Sequence, residues 1–169
     1  MLAGSGPEDR DESIGPNKVF RDLAQGLASR GIATLRYDKR TLVAGRTMHA
    51  ATITVEEEVL ADADSALALL RRTPEIDPKR IFVLGHSLGA SLAPVVAERN
   101  RSLRGIVMVA AAARPLFRLV SDQFHYLSTI ETDSTRAASL DSLSRAALTF
   151  EDPSLPDSVA FSAAQIHRR

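Results

Sequence analysis

A chain of 169 residues, 44% hydrophobic and 25% charged, is long enough to bury one ordinary core, and that composition excludes a disordered segment. The 21 basic residues balance the 21 acidic ones, which leaves no basic surplus to gather nucleic acid or anionic lipid. Without cysteine, disulfides, thiolate metal sites and cysteine nucleophiles are excluded together, and four histidines remain for chemistry.

In chain order, Gly4-Ser5-Gly6-Pro7 and the charged run Glu8 to Glu12 read as a turn and a loop, preceded by too little chain for a full strand. Between Asn17 and Ser29 the residues Val19, Phe20, Leu23, Ala24, Leu27 and Ala28 recur at helical spacing, and Gly31 follows as a C-terminal cap. Ile32 to Tyr37 is an expected strand, ending in Asp38-Lys39-Arg40. The next helix opens on a capping box of Thr54 with Glu57, and Glu56-Glu57-Glu58 read as a solvated first turn favoured by the helix dipole. Val59, Leu60, Ala63, Ala66, Leu67 and Leu70 form its apolar stripe, and Thr73-Pro74 stops it. Ile81-Phe82-Val83-Leu84 and Ile106 to Ala110 are continuously apolar, as strands of a parallel sheet covered on both faces should be. Between them, Leu88, Leu92, Val95 and Val96 mark a helix that ends near Arg99-Asn100-Arg101. Alternation of helix and strand predicts an α/β fold with a parallel sheet. Beyond Arg114-Pro115 two amphipathic helices follow without an intervening strand, carried by Leu116, Val120, Phe124 and Leu127 and by Leu140, Leu143 and Ala147. The expected division is a core over 1–113, a helical segment over 114–150 and an irregular tail over 151–169. No apolar run approaches the ~18 residues of a membrane span. Met1-Leu2-Ala3 shows no leader, so the cytoplasm is the default compartment, with a leader allowed for in chain preceding this start.

The chemistry concentrates at Gly85-His86-Ser87-Leu88-Gly89, a G-x-S-x-G pattern set between a buried strand and an amphipathic helix. A strand-to-helix reversal this tight brings the backbones on either side of the serine so close that a Cβ at Gly85 or Gly89 would clash. The helix below it supplies a positive dipole and a free N–H. Ser87 is thus the candidate nucleophile and the Leu88 N–H one candidate oxyanion donor. Gly4-Ser5-Gly6-Pro7 can supply a second donor, although such a stretch is more often a plain turn. His86 adjoins Ser87, but neighbouring side chains diverge at a sharp turn, so it is expected to pack the elbow. His49, His125 and the pair Asp157 with His167 show no spacing suited to a base or a metal. Gly4-x-Gly6 has Asp9 where a dinucleotide fingerprint needs glycine, and no cofactor or metal site is expected.

Three landmarks together, Gly4-Ser5-Gly6-Pro7 with Asp9-Arg10-Asp11, Leu35 to Arg40, and Gly85 to Gly89, resemble the α/β-hydrolase superfamily over about Leu2 to Pro115. The likeness is to its serine-aminopeptidase-like and dienelactone-hydrolase-like esterase branches. It implies that Ser5 gives the second oxyanion N–H, that His86 packs the elbow, and that 114–150 forms a cap. The first landmark usually begins with histidine in such proteins, where this chain has Ala3. It also implies an acid and a histidine after two further strands, for which this sequence shows no equivalent. The expected chain is a partial α/β-hydrolase fold, truncated at both ends, acting on small-molecule esters or acyl groups; a catalytically silent fragment or binding module is the alternative. Peptidase, thioesterase and acyltransferase chemistry remain open on the same fold. Met1-Leu2-Ala3 stands where a full strand should separate Ile32–Tyr37 from Ile81–Leu84, so open sheet edges predict self-association.

Overall fold

A computed structural model describes residues 1–48 and 53–151. The chain divides into two compact units, Met1–Ala111 and Ala112–Arg169.

In the first unit, Gly15 at φ 59° turns the chain between two short antiparallel segments, β1 (Ser13–Ile14) and β2 (Asn17–Lys18). These lead into α1 (Val19–Ala28), which therefore starts two residues later than its periodicity suggests, because Asn17 and Lys18 are used in the ladder. Phe20 and Ala24 are its buried contacts, and Gly31 at φ 73° closes it in the left-handed conformation that glycine adopts freely. A single turn, α2 (Arg40–Val43), follows. Thr54 and Glu57 make the reciprocal capping bonds expected of them, Thr54 N–H to Oε2 at 3.1 Å and Glu57 N–H to Oγ1 at 3.4 Å. A π-helical turn over Glu56–Leu60 then runs into α3 (Ala61–Arg72).

The sheet is a parallel pair, β3 (Phe82–His86) and β4 (Gly105–Val109), joined by α4 (Leu88–Arg99). This is the expected α/β arrangement. Leu2 joins it as a third, one-residue rung: its N–H donates to the Leu84 carbonyl at 2.8 Å and its carbonyl accepts from His86 N–H at 3.0 Å. On the other side of this rung, Met1 N donates to the Leu35 carbonyl at 2.8 Å. Ile32–Tyr37, expected as a strand, forms no ladder. Among the described residues one bond of that kind reaches it, from Met1 N to the Leu35 carbonyl, and extended backbone becomes a strand when a partner offers successive donors and acceptors.

Leu2, Val59, Leu60, Ala63, Leu67, Ile81, Val83, Ala93 and Val96 form the core, so α3, α4 and β3 share one apolar centre. Burying each large side chain contributes roughly 1.5 to 3 kcal/mol. The expectation of strands covered on both faces is corrected: Phe82, Val107, Met108 and Val109 are exposed. Among the described residues no further strand pairs with β4, so its outer edge and much of its surface stay open.

At the surface of this unit Arg10 grips Asp38 through its backbone N–H (2.8 Å), Nε (3.0 Å) and a terminal guanidinium nitrogen (2.6 Å). These bonds, side chain first and backbone second, pull the Asp38 carboxyl down to about 2. With the folded value depressed, the contact is intact above the ordinary carboxylate range and is lost as pH falls through about 2. Carboxyl-carbon NMR should find Asp38 titrating there, and Arg10→Ala should return it to the ordinary range; an unmoved midpoint would show that Arg10 is not the cause.

The second unit contains a helical hairpin, α5 (Leu116–Ile130) and α6 (Ser134–Leu148). Asp133 caps α6 by accepting from Thr135 N–H and Arg136 N–H. Ser121 and Ser144 meet between the helices with their hydroxyls 3.0 Å apart. No helix among the described residues is long and apolar enough to cross a membrane.

Candidate functional site

Ser87 occupies the junction of β3 and α4 at φ 52°, ψ −114°. This left-handed region is one that L-residues adopt at a cost of order 1 to 3 kcal/mol, and it persists only where surrounding structure enforces it. Three features enforce it. The Ser87 N–H donates to the Val109 carbonyl at 3.0 Å, its carbonyl accepts from Ser91 N–H at 3.0 Å as α4 begins, and the flanking glycines allow the backbones to close. A Cβ on Gly85 would stand 2.3 Å from the Gly89 carbonyl oxygen; one on Gly89 would stand 2.3 Å from the Leu2 carbonyl oxygen and 2.7 Å from that of Ala3.

Leu88 is the first residue of α4, where N–H groups have no intrahelical acceptor. The Gly4–Pro7 turn lies beside it. The Cβ direction of Gly4 ends 3.4 Å from Ser87 Cβ, so the turn flanks the serine side chain directly. Two carboxylates, the buried Glu12 and the half-buried Glu58, then sort the N–H groups of this turn. Gly4 N–H donates to Glu12 Oε1 at 2.7 Å and Gly6 N–H to Glu58 Oε1 at 3.0 Å. Among the described residues no hydrogen bond engages the N–H of Ser5 or of Leu88. Gly6 sits at φ 93°, a conformation that suits glycine, and its carbonyl accepts from the Thr41 hydroxyl at 3.1 Å.

Lys39 completes the surroundings. It is almost fully buried, and its Nζ donates to the Gly4 carbonyl at 2.7 Å and to Glu58 Oε1 at 2.6 Å. Glu12, only 1% exposed and at φ 49°, also holds His86, with Oε1 2.8 Å from Nδ1. Its neighbour Glu8 is pushed above the ordinary carboxylate range, chiefly by burial and then by the charge of Glu12.

Sequence reasoning places Ser87, Leu88, Ser5, Gly85 and Gly89 at the site and misses Glu12, Lys39 and Glu58. Glu56 does lie at the surface, paired with Arg99, and Glu57 serves the cap, but Glu58 departs from the solvated first turn. The available signal is a pairing of turns: Glu58 and Asp62 stand four apart on one helical face, and consecutive Lys39 and Arg40 meet them. His125 lies on α5, 3.7 Å from Asp141. His49, Asp157 and His167 lie outside the described residues.

The sequence model of the family described as serine aminopeptidase, S33, matches residues 17–149. Esterase EstD of Thermotoga maritima is 48% identical over 130 residues, which cover 77% of this chain and 30% of that protein. Thiohydrolase apmlB of Arthrinium phaeospermum is 29% identical over 97 residues, covering 57% of this chain and 31% of that protein. The chain therefore spans about a third of the length of these curated relatives. No solved structure matches it.

Proposed function

Because this chain belongs to the serine aminopeptidase S33 family of α/β-hydrolases, we propose that it carries the nucleophile and oxyanion donors of a carboxylic-ester hydrolase acting on small-molecule substrates. The observation that carries this reading is the strained Ser87 backbone standing between two unengaged N–H groups, those of Ser5 and Leu88. Ser87 Oγ would attack the acyl carbon as its proton leaves to a base, and the two N–H groups would hold the negative oxygen of the tetrahedral intermediate. Collapse would expel the alcohol and leave an acyl-serine, which water then hydrolyses. We assign no base among the described residues. The resemblance to esterase EstD favours an oxygen ester, and that to thiohydrolase apmlB keeps a thioester as the second substrate class.

Attack by the Ser87 hydroxyl is slow without an assigned base, and the oxyanion donors lower the barrier to that attack. A slow, Ser87-dependent hydrolysis of 4-nitrophenyl acetate is therefore expected of the folded chain. Ser87→Ala should lower it clearly, leaving at most the serine-independent acceleration that oxyanion donors and binding give by themselves. A rate unchanged by this substitution would overturn the nucleophile assignment, and a folded wild-type chain with no rate above background would favour a silent binding module.

A further inference from the structure

The N–H of Ser5 can hold an oxyanion only if its peptide plane is fixed, and the groups that fix it are charged, with Lys39 and Glu12 buried and Glu58 half-buried. We propose that Lys39 and Glu58, with Glu12, are positioning residues that aim the Ser5 N–H at the oxyanion of a bound acyl group. This rests on the reading of Ser5 and Ser87 given above.

A trans peptide is planar, so its C=O and N–H point in opposite directions. Lys39 Nζ holds the Gly4 carbonyl at 2.7 Å, which directs the N–H of Ser5, the other end of that same peptide, away from Lys39. The preceding and following N–H groups are withdrawn from competition. Glu12 takes that of Gly4 at 2.7 Å and Glu58 takes that of Gly6 at 3.0 Å. Glu58 also holds Lys39 at 2.6 Å, so one carboxylate steadies the ammonium and one end of the turn together. Among the described residues the arrangement leaves a single unengaged backbone N–H in the turn, that of Ser5, flanking Ser87. A buried ion pair is a weak source of net stability because desolvation offsets its attraction. Its directional bonds, in contrast, match the need of an oxyanion site for donors set in place before the charge develops.

The test combines kinetics with NMR of the full chain. Lys39→Met should lower kcat for 4-nitrophenyl acetate by ~10²-fold, the scale expected from misplacing one oxyanion donor, with KM changed by less than about two-fold. Lys39→Arg, which keeps the charge and a donor, should recover part of the loss. Glu58→Gln, close in shape, should fall between them and carries the same expectation if Lys39→Met does not fold. The Gly4 carbonyl carbon and Ser5 amide nitrogen resonances report the bond to Lys39, and both should move in Lys39→Met while core amides keep their positions. A merely structural role would lower the unfolding temperature and leave kcat of the folded protein unchanged. Retention of kcat in Lys39→Met, with hydrolysis still dependent on Ser87, would overturn the proposal and leave the nucleophile assignment standing. Loss of Ser87 dependence in the wild-type chain would instead overturn the assignment beneath it.

Discussion

Gly89→Ala is expected to destabilise the chain by about 3 kcal/mol, although alanine is ordinarily the better helix residue by about 1 kcal/mol. The new methyl would stand 2.3 Å from the Leu2 carbonyl oxygen and 2.7 Å from that of Ala3, and both are backbone atoms that no rotamer change can move. Relief requires Met1–Ala3 to leave its place beside β3. That movement breaks the Leu2 bonds to Leu84 and His86 and uncovers Leu2, a 4%-exposed member of the core. Two lost bonds at about 1 kcal/mol each and one uncovered leucine at roughly 2 kcal/mol outweigh the helix gain. Chemical denaturation reads the difference directly. Stability within about 0.5 kcal/mol of wild type would show that the N-terminal rung is not seated against α4 as described.

Glu12→Ala should be comparably damaging, by about 3 kcal/mol, for a different reason. The substitution removes the acceptor of Gly4 N–H and the partner of His86 Nδ1 at a position only 1% exposed. A buried donor left without a partner costs about 1 to 3 kcal/mol. Alanine also keeps the backbone penalty of φ 49°. Glu12→Gly should recover about 1 kcal/mol of it, because glycine enters that region freely. Glu12→Gln retains an oxygen for Gly4 N–H and should cost least of the three. The order Gln, Gly, Ala in unfolding midpoint separates the two contributions. If glycine matched alanine, the positive φ would carry no energy; if alanine matched wild type, the carboxylate would not be holding the turn.

Much of this molecule is legible locally. The helical stripes, the Thr54–Glu57 cap, the Gly31 stop and the strand–serine–helix setting of Ser87 all depend on residues within a few positions of one another, and each took the conformation its neighbours dictate. Alternation of helix and strand extended that reading to the α/β class, and the family resemblance extended it to the α/β-hydrolase fold. It did not extend to Ile32–Tyr37, whose composition suits a strand but whose assignment as one depends on a partner that offers successive donors and acceptors. Nor did it reach Glu12, Lys39 and Glu58. In sequence these are ordinary members of charged runs, and their burial follows only when residues 8, 35 and 52 positions apart converge on one turn. Local pattern specifies backbone conformation because the forces that set it, steric contact and hydrogen bonding between near neighbours, act over a few residues. The environment of a charge is set by whatever the fold packs around it, so which N–H groups beside Ser87 are engaged and which are left free was decided by tertiary structure alone.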